Sequence, residues 1–396
     1  MRIAQVAPLI ESVPPKTYGG TERVVHYLTE ELHRLGHEVT LFASGDSRTA
    51  ADHVAVIDRS LRTSPIPRDP VFWHQRQLME VARMADRFDI IHFHTDFSHF
   101  SVMRYLDTPY VTTLHGRLDL PDMDVVFDEF QDAPVVSISN SQRKPLPHAN
   151  WVGTVYNGTP AANYTYREVG GNYFAFLGRF SPEKGPERAI EIAKRLGTPL
   201  KMAAKIDAVD AQYFETRIKP HLAHPLIEYI GEVDERGKNE LLGHAKATLF
   251  PIDWPEPFGL VMCESMACGT PVVAFRNGSV DEVMKDGVSG FIVDSLEQAI
   301  DAASRIAEID RRKCRLHFQE RFTVEAMALG YTEVYEKLIR RVSPSPSAHS
   351  MGEGDSPQVF HSSNLVQYVN SPGFLPLDTG DKNPGEPDYA SKPVIK

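Results

Sequence analysis

The chain has 396 residues, of which 42% are hydrophobic and 24% charged, a composition typical of globular proteins and long enough for two domains with separate cores. The formal net charge is −11 and no run of Lys and Arg is interleaved with aromatic residues, so nucleic acid is not expected as a partner. The three cysteines are odd in number and lack metal-ligand spacing, which argues against a disulfide framework and a structural zinc site and favours a reducing compartment.

The N-terminal segment MRIAQVAPLI is too brief and too weakly charged for a signal peptide, and it is more typical of a first strand. No uninterrupted apolar stretch approaches the roughly 20 residues that cross a bilayer. We therefore expect a cytoplasmic protein without an integral membrane segment, while peripheral attachment to a membrane stays open.

Short apolar runs alternate with helical patterns in the first part of the chain. RIAQVAPLI is followed by RVVHYLTEELHRL and EVTLFAS, and later by DIIHFH, YVTTLH and PVVSIS. Apolar residues recur at helical spacing from Val24 to Leu35, and Gly36 stands where a helix-ending glycine is expected. Strands that alternate with helices predict parallel β-α-β units.

Residues 154–172 are rich in Gly, Asn, Thr and Pro without a sustained period, which predicts a domain boundary. A second alternating series follows, with strands at NYFAFLGRF, PLKMAAKID, LIEYIGEV, ATLFPID, TPVVAF and GFIVD. Helices are expected at about 186–196, 258–267 and 324–341, so this half also reads as a doubly wound α/β domain. From residue 343 onward the chain is dense in Pro, Ser, Gly and Asp, which predicts a flexible tail with a candidate docking segment at NLVQYV.

The stretch EPFGLVMCE carries a glutamate at each end of an apolar segment, Glu256 and Glu264. Because a buried carboxylate without a partner costs several kcal/mol, a polar group is expected to meet each of them. In a helix the two would lie roughly 12 Å apart and would address opposite ends of an extended ligand. The free N–H groups of Phe258, Gly259 and Leu260 would meet an anion at the helix start. The alternative is that Glu256 only caps the helix and Glu264 faces solvent.

The segment LGRFSPEKG ends a predicted strand and precedes a predicted helix. Arg179 and Lys184 are therefore expected where ligands of doubly wound sheets bind, beyond the carboxyl ends of the strands. A planar guanidinium and a mobile ammonium both suit phosphate oxygens, although a solvated surface turn is the alternative at this point.

The glycines of YGGTERVV, Gly19 and Gly20, stand at the entry to the first predicted helix, where glycine lets the backbone approach an anion closely. A plain tight turn is the alternative. The loop lacks both G-x-G-x-x-G and G-x-x-x-x-G-K, which argues against a dehydrogenase and a P-loop nucleotide hydrolase.

No metal site is predicted. Asp122 and Asp124 imitate a D-x-D motif, but they lie in a broadly acidic stretch that is more typical of a solvated face. His92 and His94 share one side of a strand without an evident third ligand, so packing or an acceptor pocket is favoured over a metal.

Several of these motifs occur together in one known family. The GG pair, LHG after a strand, an NG turn between the domains, GRFSPEKG, and E-x7-E followed by SMACGTPVVA resemble the family-4 retaining nucleotide-sugar glycosyltransferases with the GT-B fold. The resemblance covers about residues 1–342. It implies two Rossmann-like α/β domains facing each other across a cleft, which we place as an N-terminal acceptor domain at 1–160, a C-terminal donor domain at 171–325, a C-terminal helix at 326–342 and a flexible tail at 343–396.

The resemblance also implies roles for matching residues. Arg179 and Lys184 are similar to the pair that neutralises the donor diphosphate. Glu264 matches the glutamate that holds the ribose hydroxyls, while Glu256 and His115 match residues near the donor sugar and the reacting centre. Backbone contacts to the donor are expected from Gly19, Gly20, Phe258, Gly259 and Leu260.

On this resemblance we expect a retaining, metal-independent transferase that needs no cofactor and moves a hexose from a nucleotide-sugar, of UDP-glucose or GDP-mannose type, to a hydroxyl acceptor. The nucleotide base is expected near residues 231–233. Fixed cations aimed at the departing diphosphate would stabilise the transition state more than the ground state. The alternatives are a non-catalytic nucleotide-sugar-binding or scaffold protein, and a GT-B epimerase or phosphorylase.

Overall fold

The first half of the chain forms a seven-stranded parallel sheet in the computed structural model, which describes residues 1–16 and 19–342. The strands lie in the order β3-β2-β1-β4-β5-β6-β7. They are β1 (Arg2–Val6), β2 (Glu38–Ser44), β3 (Asp52–Ile57), β4 (Ile90–Phe93), β5 (Tyr110–Leu114), β6 (Val135–Ser137) and β7 (Trp151–Thr154). The tail predicted for 343–396 lies outside the described residues.

Helices cover both faces of this sheet, which explains why nearly every residue of its central strands β1, β4 and β5 is buried. They are α1 (Gly20–Arg34), α2 (Pro70–Arg83), α3 (Phe100–Met103) and α4 (Met123–Glu129), with 3-10 turns at Leu61–Thr63, Ala85–Arg87 and Ser141–Arg143. A further 3-10 turn, Ala161–Asn163, lies in the segment that leads to the second half.

The second half is a six-stranded parallel sheet in the order β10-β9-β8-β11-β12-β13. Its strands are β8 (Phe174–Arg179), β9 (Leu200–Lys205), β10 (Ile227–Gly231), β11 (Ala247–Phe250), β12 (Val272–Phe275) and β13 (Gly290–Val293). The prediction of two doubly wound parallel sheets is confirmed.

The helices of this half begin with α5 (Pro186–Leu196), α6 (Ala211–Tyr213) and α7 (Glu235–Gly243). They continue with α8 (Leu260–Ala267), α9 (Val280–Val283), α10 (Leu296–Ser304) and α11 (Arg311–Arg321). Shorter turns are the 3-10 segments Pro182–Lys184, Ala208–Asp210, Lys219–Ala223 and Ile306–Glu308 and the π-helical segment Phe214–Ile218.

Three helix boundaries show how local sequence sets the elements. Helix α5 begins at Pro186, directly after Gly185 in the left-handed region, and ends at Gly197, which is also left-handed. Helix α8 begins at Leu260, not at Phe258 as the sequence pattern predicts. The reason is Gly259, whose φ of 77° ends the preceding loop and allows the helix to start only after it.

The last helix, α12 (Val324–Val342), returns to the first half of the chain. Its Tyr331 and Tyr335 are fully buried in one core with Val24 and Leu28 of α1. The two segments that cross between the halves touch each other, since the Thr159 N–H donates to the Phe322 carbonyl over 2.9 Å. The described chain therefore crosses between its two sheets twice, at one place.

In both sheets the first strand is central: β1 lies between β2 and β4, and β8 lies between β9 and β11. The strand order reverses there, and ligands of open α/β sheets bind beyond the carboxyl ends of the strands at such a point. None of the described helices is both long and apolar enough to cross a membrane.

Candidate active site

A cavity of about 440 Å³ lies between the two halves, at the carboxyl ends of their central strands. All ten residues that the sequence singles out line it: Gly19, Gly20, His115, Arg179, Lys184, Glu256, Phe258, Gly259, Leu260 and Glu264. Their individual roles stay predictions. The two halves are close to each other here: a Cβ added at Gly20 of the first half would lie 4.0 Å from the Leu260 side chain of the second half.

Glu256 is buried and has two described side-chain partners. The Lys184 ammonium forms an ion pair with Oε2 of Glu256, and the indole N–H of Trp254 donates to the same oxygen over 2.9 Å. The ammonium also lies 4.9 Å from the centroid of the Trp254 ring, a cation–π distance. The sequence analysis places Glu256 and Lys184 in the site but does not predict that they contact each other, and it does not identify Trp254 as a site residue.

Arg179, at the end of β8, lies among carboxylates. Its guanidinium is 2.7 Å from Glu183, 3.5 Å from Asp207 and 3.7 Å from Asp210. Lys205, at the end of β9, also pairs with Asp207, at 2.7 Å. Two cations therefore stand at the predicted diphosphate position, and the three carboxylates around them outnumber them.

Glu264 is 3% exposed, so the alternative that it faces solvent is wrong. Its Oε1 accepts a hydrogen bond from the Tyr164 hydroxyl at 3.1 Å and pairs with the buried ammonium of Lys238. A charged partner is what burial of a carboxylate requires. The sequence predicts that some polar group meets Glu264, but nothing in it selects a lysine 26 residues away.

Glu235 on α7 links the Glu264–Lys238 ion pair to the first half of the chain. Glu235 contacts Lys238 of the same helix as well as Arg23 and Tyr27 of α1, the latter through a hydrogen bond of 2.8 Å. Burial alone would raise the pKa of Glu235, but Lys238 and Arg23 together lower it below its ordinary value. The two halves are thus joined by a polar network that sequence reasoning misses, in which Glu235 is half-buried and its partners Arg23, Tyr27 and Lys238 are buried.

The start of α8 presents backbone N–H groups that have no carbonyl partner within the helix. Glycine is needed at Gly259, because a Cβ there would lie 2.8 Å from the Met262 side chain and φ is 77°. Gly19 faces a similar constraint, since its Cβ would lie 2.7 Å from Pro15. Two of the five positions predicted to contact the donor through their backbone, Gly19 and Gly259, therefore have no room for a side chain.

His115 follows β5 and is half-buried at the wall of the cavity. Burial lowers its pKa to about 4, so the imidazole is neutral near pH 7. Its Nε2 lies 2.8 Å from Nδ1 of His94, which is buried behind it. His92 and His94 thus belong to the packed interior, as the sequence analysis favours.

Glu11 is a wall residue that the sequence analysis does not single out. Burial raises its pKa to about 7, although Arg62, whose Nε lies 2.7 Å from Oε1, opposes the shift. Elsewhere, Asp122 and Asp124 are exposed on α4 and its approach. Across residues 1–16 and 19–342 no group of three or more His, Cys, Asp or Glu side chains is arranged to hold a metal ion.

Two family models match the chain. One, described as Glycosyltransferase Family 4, matches residues 18–153, and the other, Glycosyl transferases group 1, matches residues 166–322. An uncharacterized glycosyltransferase of Methanocaldococcus jannaschii is 25% identical over 348 residues, which cover 75% of this chain and 88% of that protein.

Solved structures share the fold. Sucrose-phosphate synthase from Thermosynechococcus elongatus superposes with a TM-score of 0.70 at 19% identity, over 86% of this chain and 99% of that one. HepE of Anabaena, in complex with UDP-glucose, superposes with a TM-score of 0.66 at 16% identity, over 85% of this chain and 100% of that one.

Proposed function

This chain belongs to the family-4 glycosyltransferases with the GT-B fold, and from that premise we propose that it moves a hexose from a nucleotide-sugar to a hydroxyl acceptor with retention of configuration and without a metal or other cofactor. The observation that carries the proposal is the cavity between the halves, whose wall includes the cations of Arg179 and Lys184 and the buried carboxylate of Glu264. This arrangement suits a ligand with a charged diphosphate and a hydroxyl-bearing ribose.

The chemistry follows from where charge develops. Departure of a nucleoside diphosphate leaves negative charge on the phosphates and positive charge on the anomeric carbon. Arg179, Lys184 and the N–H groups at the start of α8 would meet the negative charge, and preorganised donors of this kind lower the barrier because they need no reorganisation. The departing phosphate would accept the proton of the attacking hydroxyl, on the face from which it leaves.

Lys184 and Glu256 would work as one unit in this scheme. The ammonium can turn from the carboxylate toward a phosphate oxygen, while Glu256, still held by the Trp254 indole, is left to accept a hydrogen bond from a sugar hydroxyl. The nucleotide base would pack near Glu232 and Val233, which line the same cavity. UDP-glucose is the first donor to test, followed by GDP-mannose.

The test uses the full chain with each donor in turn. Binding at 100 times the dissociation constant should add about 2.7 kcal/mol of stability, which a thermal-shift measurement detects. Slow hydrolysis of an α-linked donor should release the nucleoside diphosphate, and the sugar should appear first as the α-anomer if configuration is retained. Chelator should leave this rate unchanged.

The outcomes separate the alternatives. Binding without any nucleotide release would favour a non-catalytic nucleotide-sugar-binding protein, and release of the β-anomer first would contradict retention. If neither UDP-sugars nor GDP-sugars shift the melting temperature, the proposed donor class is wrong.

A further inference from the structure

A continuous chain of hydrogen bonds runs from the cavity wall into the interior of the first half. His115 Nε2 meets His94 Nδ1 at 2.8 Å, and His94 Nε2 meets Oε1 of Gln5 at 2.8 Å. The Gln5 side-chain amide then donates to the Tyr335 hydroxyl of α12 over 3.0 Å. Gln5 and Tyr335 are fully buried, so neither can exchange these partners for water.

The chain continues beyond Tyr335. The Tyr335 hydroxyl lies 2.6 Å from His92 Nδ1, and His92 Nε2 lies 2.7 Å from the Thr113 hydroxyl. The Thr113 hydroxyl in turn lies 2.9 Å from that of Tyr331. Every one of these members except Gln5 can act as donor or acceptor at either end.

Gln5 therefore sets the direction of the whole chain, because its amide has one acceptor end and one donor end. Oε1 faces His94, so His94 carries its proton on Nε2 and offers the lone pair of Nδ1. Burial lowers the pKa of His94 and of His115, which keeps both rings neutral with one proton each. His115 must then place its proton on Nε2, where it donates to His94.

His115 Nδ1 is left unprotonated, and it makes no hydrogen bond to any residue in the described ranges. We propose that Gln5, His94 and Tyr335 are positioning residues that hold His115 in a single tautomer, with the Nδ1 lone pair available to accept a hydrogen bond from a hydroxyl of the bound donor sugar. The inference rests on the proposed function for its ligand, but the tautomer itself does not.

The arrangement suits the chemistry of glycosyl transfer. A protonated imidazole at this wall would repel the positive charge that develops on the sugar ring. A neutral imidazole that accepts a hydrogen bond from a sugar hydroxyl instead increases the electron density on that oxygen and so helps to stabilise the positive charge. A buried chain with fixed polarity supplies that state without a nearby carboxylate. It also gives α12 a role in the site, since Tyr335 comes from a helix that follows the whole donor half in sequence.

The first test reads the tautomer directly. The full chain is labelled with ¹⁵N-histidine, and the signals of His115 are identified by their loss in His115→Gln. We expect one pyrrole-type Nε2 and one pyridine-type Nδ1. A pyrrole-type Nδ1, or shifts that average the two tautomers, would overturn the proposal.

The second test compares two substitutions on α12. Tyr335→Phe frees the Gln5 amide to turn, so the His115 signals should move toward an average of the two tautomers. The transfer or hydrolysis rate kcat should fall about tenfold with the donor KM within twofold. Tyr331→Phe also deletes a hydroxyl from a fully buried tyrosine of the same helix, but this hydroxyl contacts Thr113 and not Gln5, so the variant should change neither the His115 signals nor kcat. Unaltered His115 signals in Tyr335→Phe would refute the relay.

A third variant tests the same chain of hydrogen bonds in case Tyr335→Phe does not fold. Gln5→Met keeps the side-chain volume and removes both ends of the amide, and its melting temperature shows whether the fold persists. If the signals of His115 change as expected in either variant while kcat does not, His115 does not contact the reacting sugar and the functional half of the proposal fails. If the wild-type protein turns over no donor, the proposed function fails, and the nitrogen shifts still decide the tautomer.

Discussion

Replacing Lys184 by methionine separates the electrostatic role of this residue from its packing. The side chains of Lys184 and Glu256 are 15% and 11% exposed, and the ammonium is the charged partner of the carboxylate. Methionine keeps most of the apolar stem against Trp254 and removes only the charge. Breaking a buried pair typically costs about 3–5 kcal/mol, and because Trp254 still donates to Glu256 we expect a loss at or just below the lower end of that range, about 2–3 kcal/mol.

The effect on catalysis should be larger and separable. Removing one fixed donor that faces developing negative charge typically lowers kcat by about 10²–10³, or roughly 3–4 kcal/mol of barrier. The double variant Lys184→Met with Glu256→Gln removes the unpaired charge as well, so its stability should recover by most of the loss while its activity stays low. Lys184→Arg keeps the charge and should retain more activity than Lys184→Met.

The assay follows release of nucleoside diphosphate from a saturating donor, with urea unfolding of the same preparations. Stability and turnover then come from one set of samples. If Lys184→Met keeps kcat within threefold of the wild type, the ammonium does not act on the leaving group. If the double variant regains activity along with stability, the loss in the single variant was structural.

Three further changes test other parts of the site. Glu264→Gln removes the charge that Lys238 balances, and it should raise the dissociation constant for UDP or GDP about tenfold, measured by calorimetry, with a smaller effect on kcat. Trp254→Phe keeps a ring beneath the ammonium but deletes the N–H that holds Glu256, so kcat/KM should fall about three- to tenfold; an unchanged value would show that this hydrogen bond is dispensable. The pKa of Glu11 is raised to about 7 from an ordinary 4.5, so the folded chain holds this proton to a higher pH than the unfolded chain does. The contribution of Glu11 to wild-type stability should therefore decline as pH rises from 4.5 to 7. Glu11→Gln lacks that decline, so its melting temperature relative to wild type should be higher at pH 8 than at pH 5, and equal differences at both pH values would contradict the shift.

The helices could be predicted wherever the spacing of apolar residues agrees with Pro or Gly at the expected helix ends. The bounds of α5 follow from Pro186 and the glycines on either side of the helix, and the first helix follows from its apolar spacing and Gly36. Strands β3 and β7 are not predicted, because DHVAVI and WVGT are short and lie at the two edges of their sheet, where the apolar pattern is weakest. The start of α8 is predicted two residues too early, at Phe258, because the apolar pattern does not encode the positive φ angle of Gly259.

The residues of the site likewise fall into those that the sequence predicts and those that it does not. Residues that recur in recognisable motifs, such as Glu256 and Lys184, could be found from the sequence, and all of them line one cavity. Their partners could not. Lys238 and Tyr335 reach the site through tertiary packing, and Trp254, two positions before Glu256, belongs to none of the motifs that the sequence analysis uses. Tyr335 is the extreme case, since the residue it contacts, Gln5, is 330 positions away.

The two crossings of the chain between its sheets have a consequence for movement. They run side by side, joined by the Thr159 N–H to Phe322 and packed so tightly that a Cβ on Gly158 would lie 2.3 Å from the Thr323 carbonyl. Two covalent links at one point hold the halves together there, so we expect any opening or closing of the cleft to be a rotation about this point. A single methyl group introduced at Gly158 would wedge that pivot and change the angle at which the cleft rests.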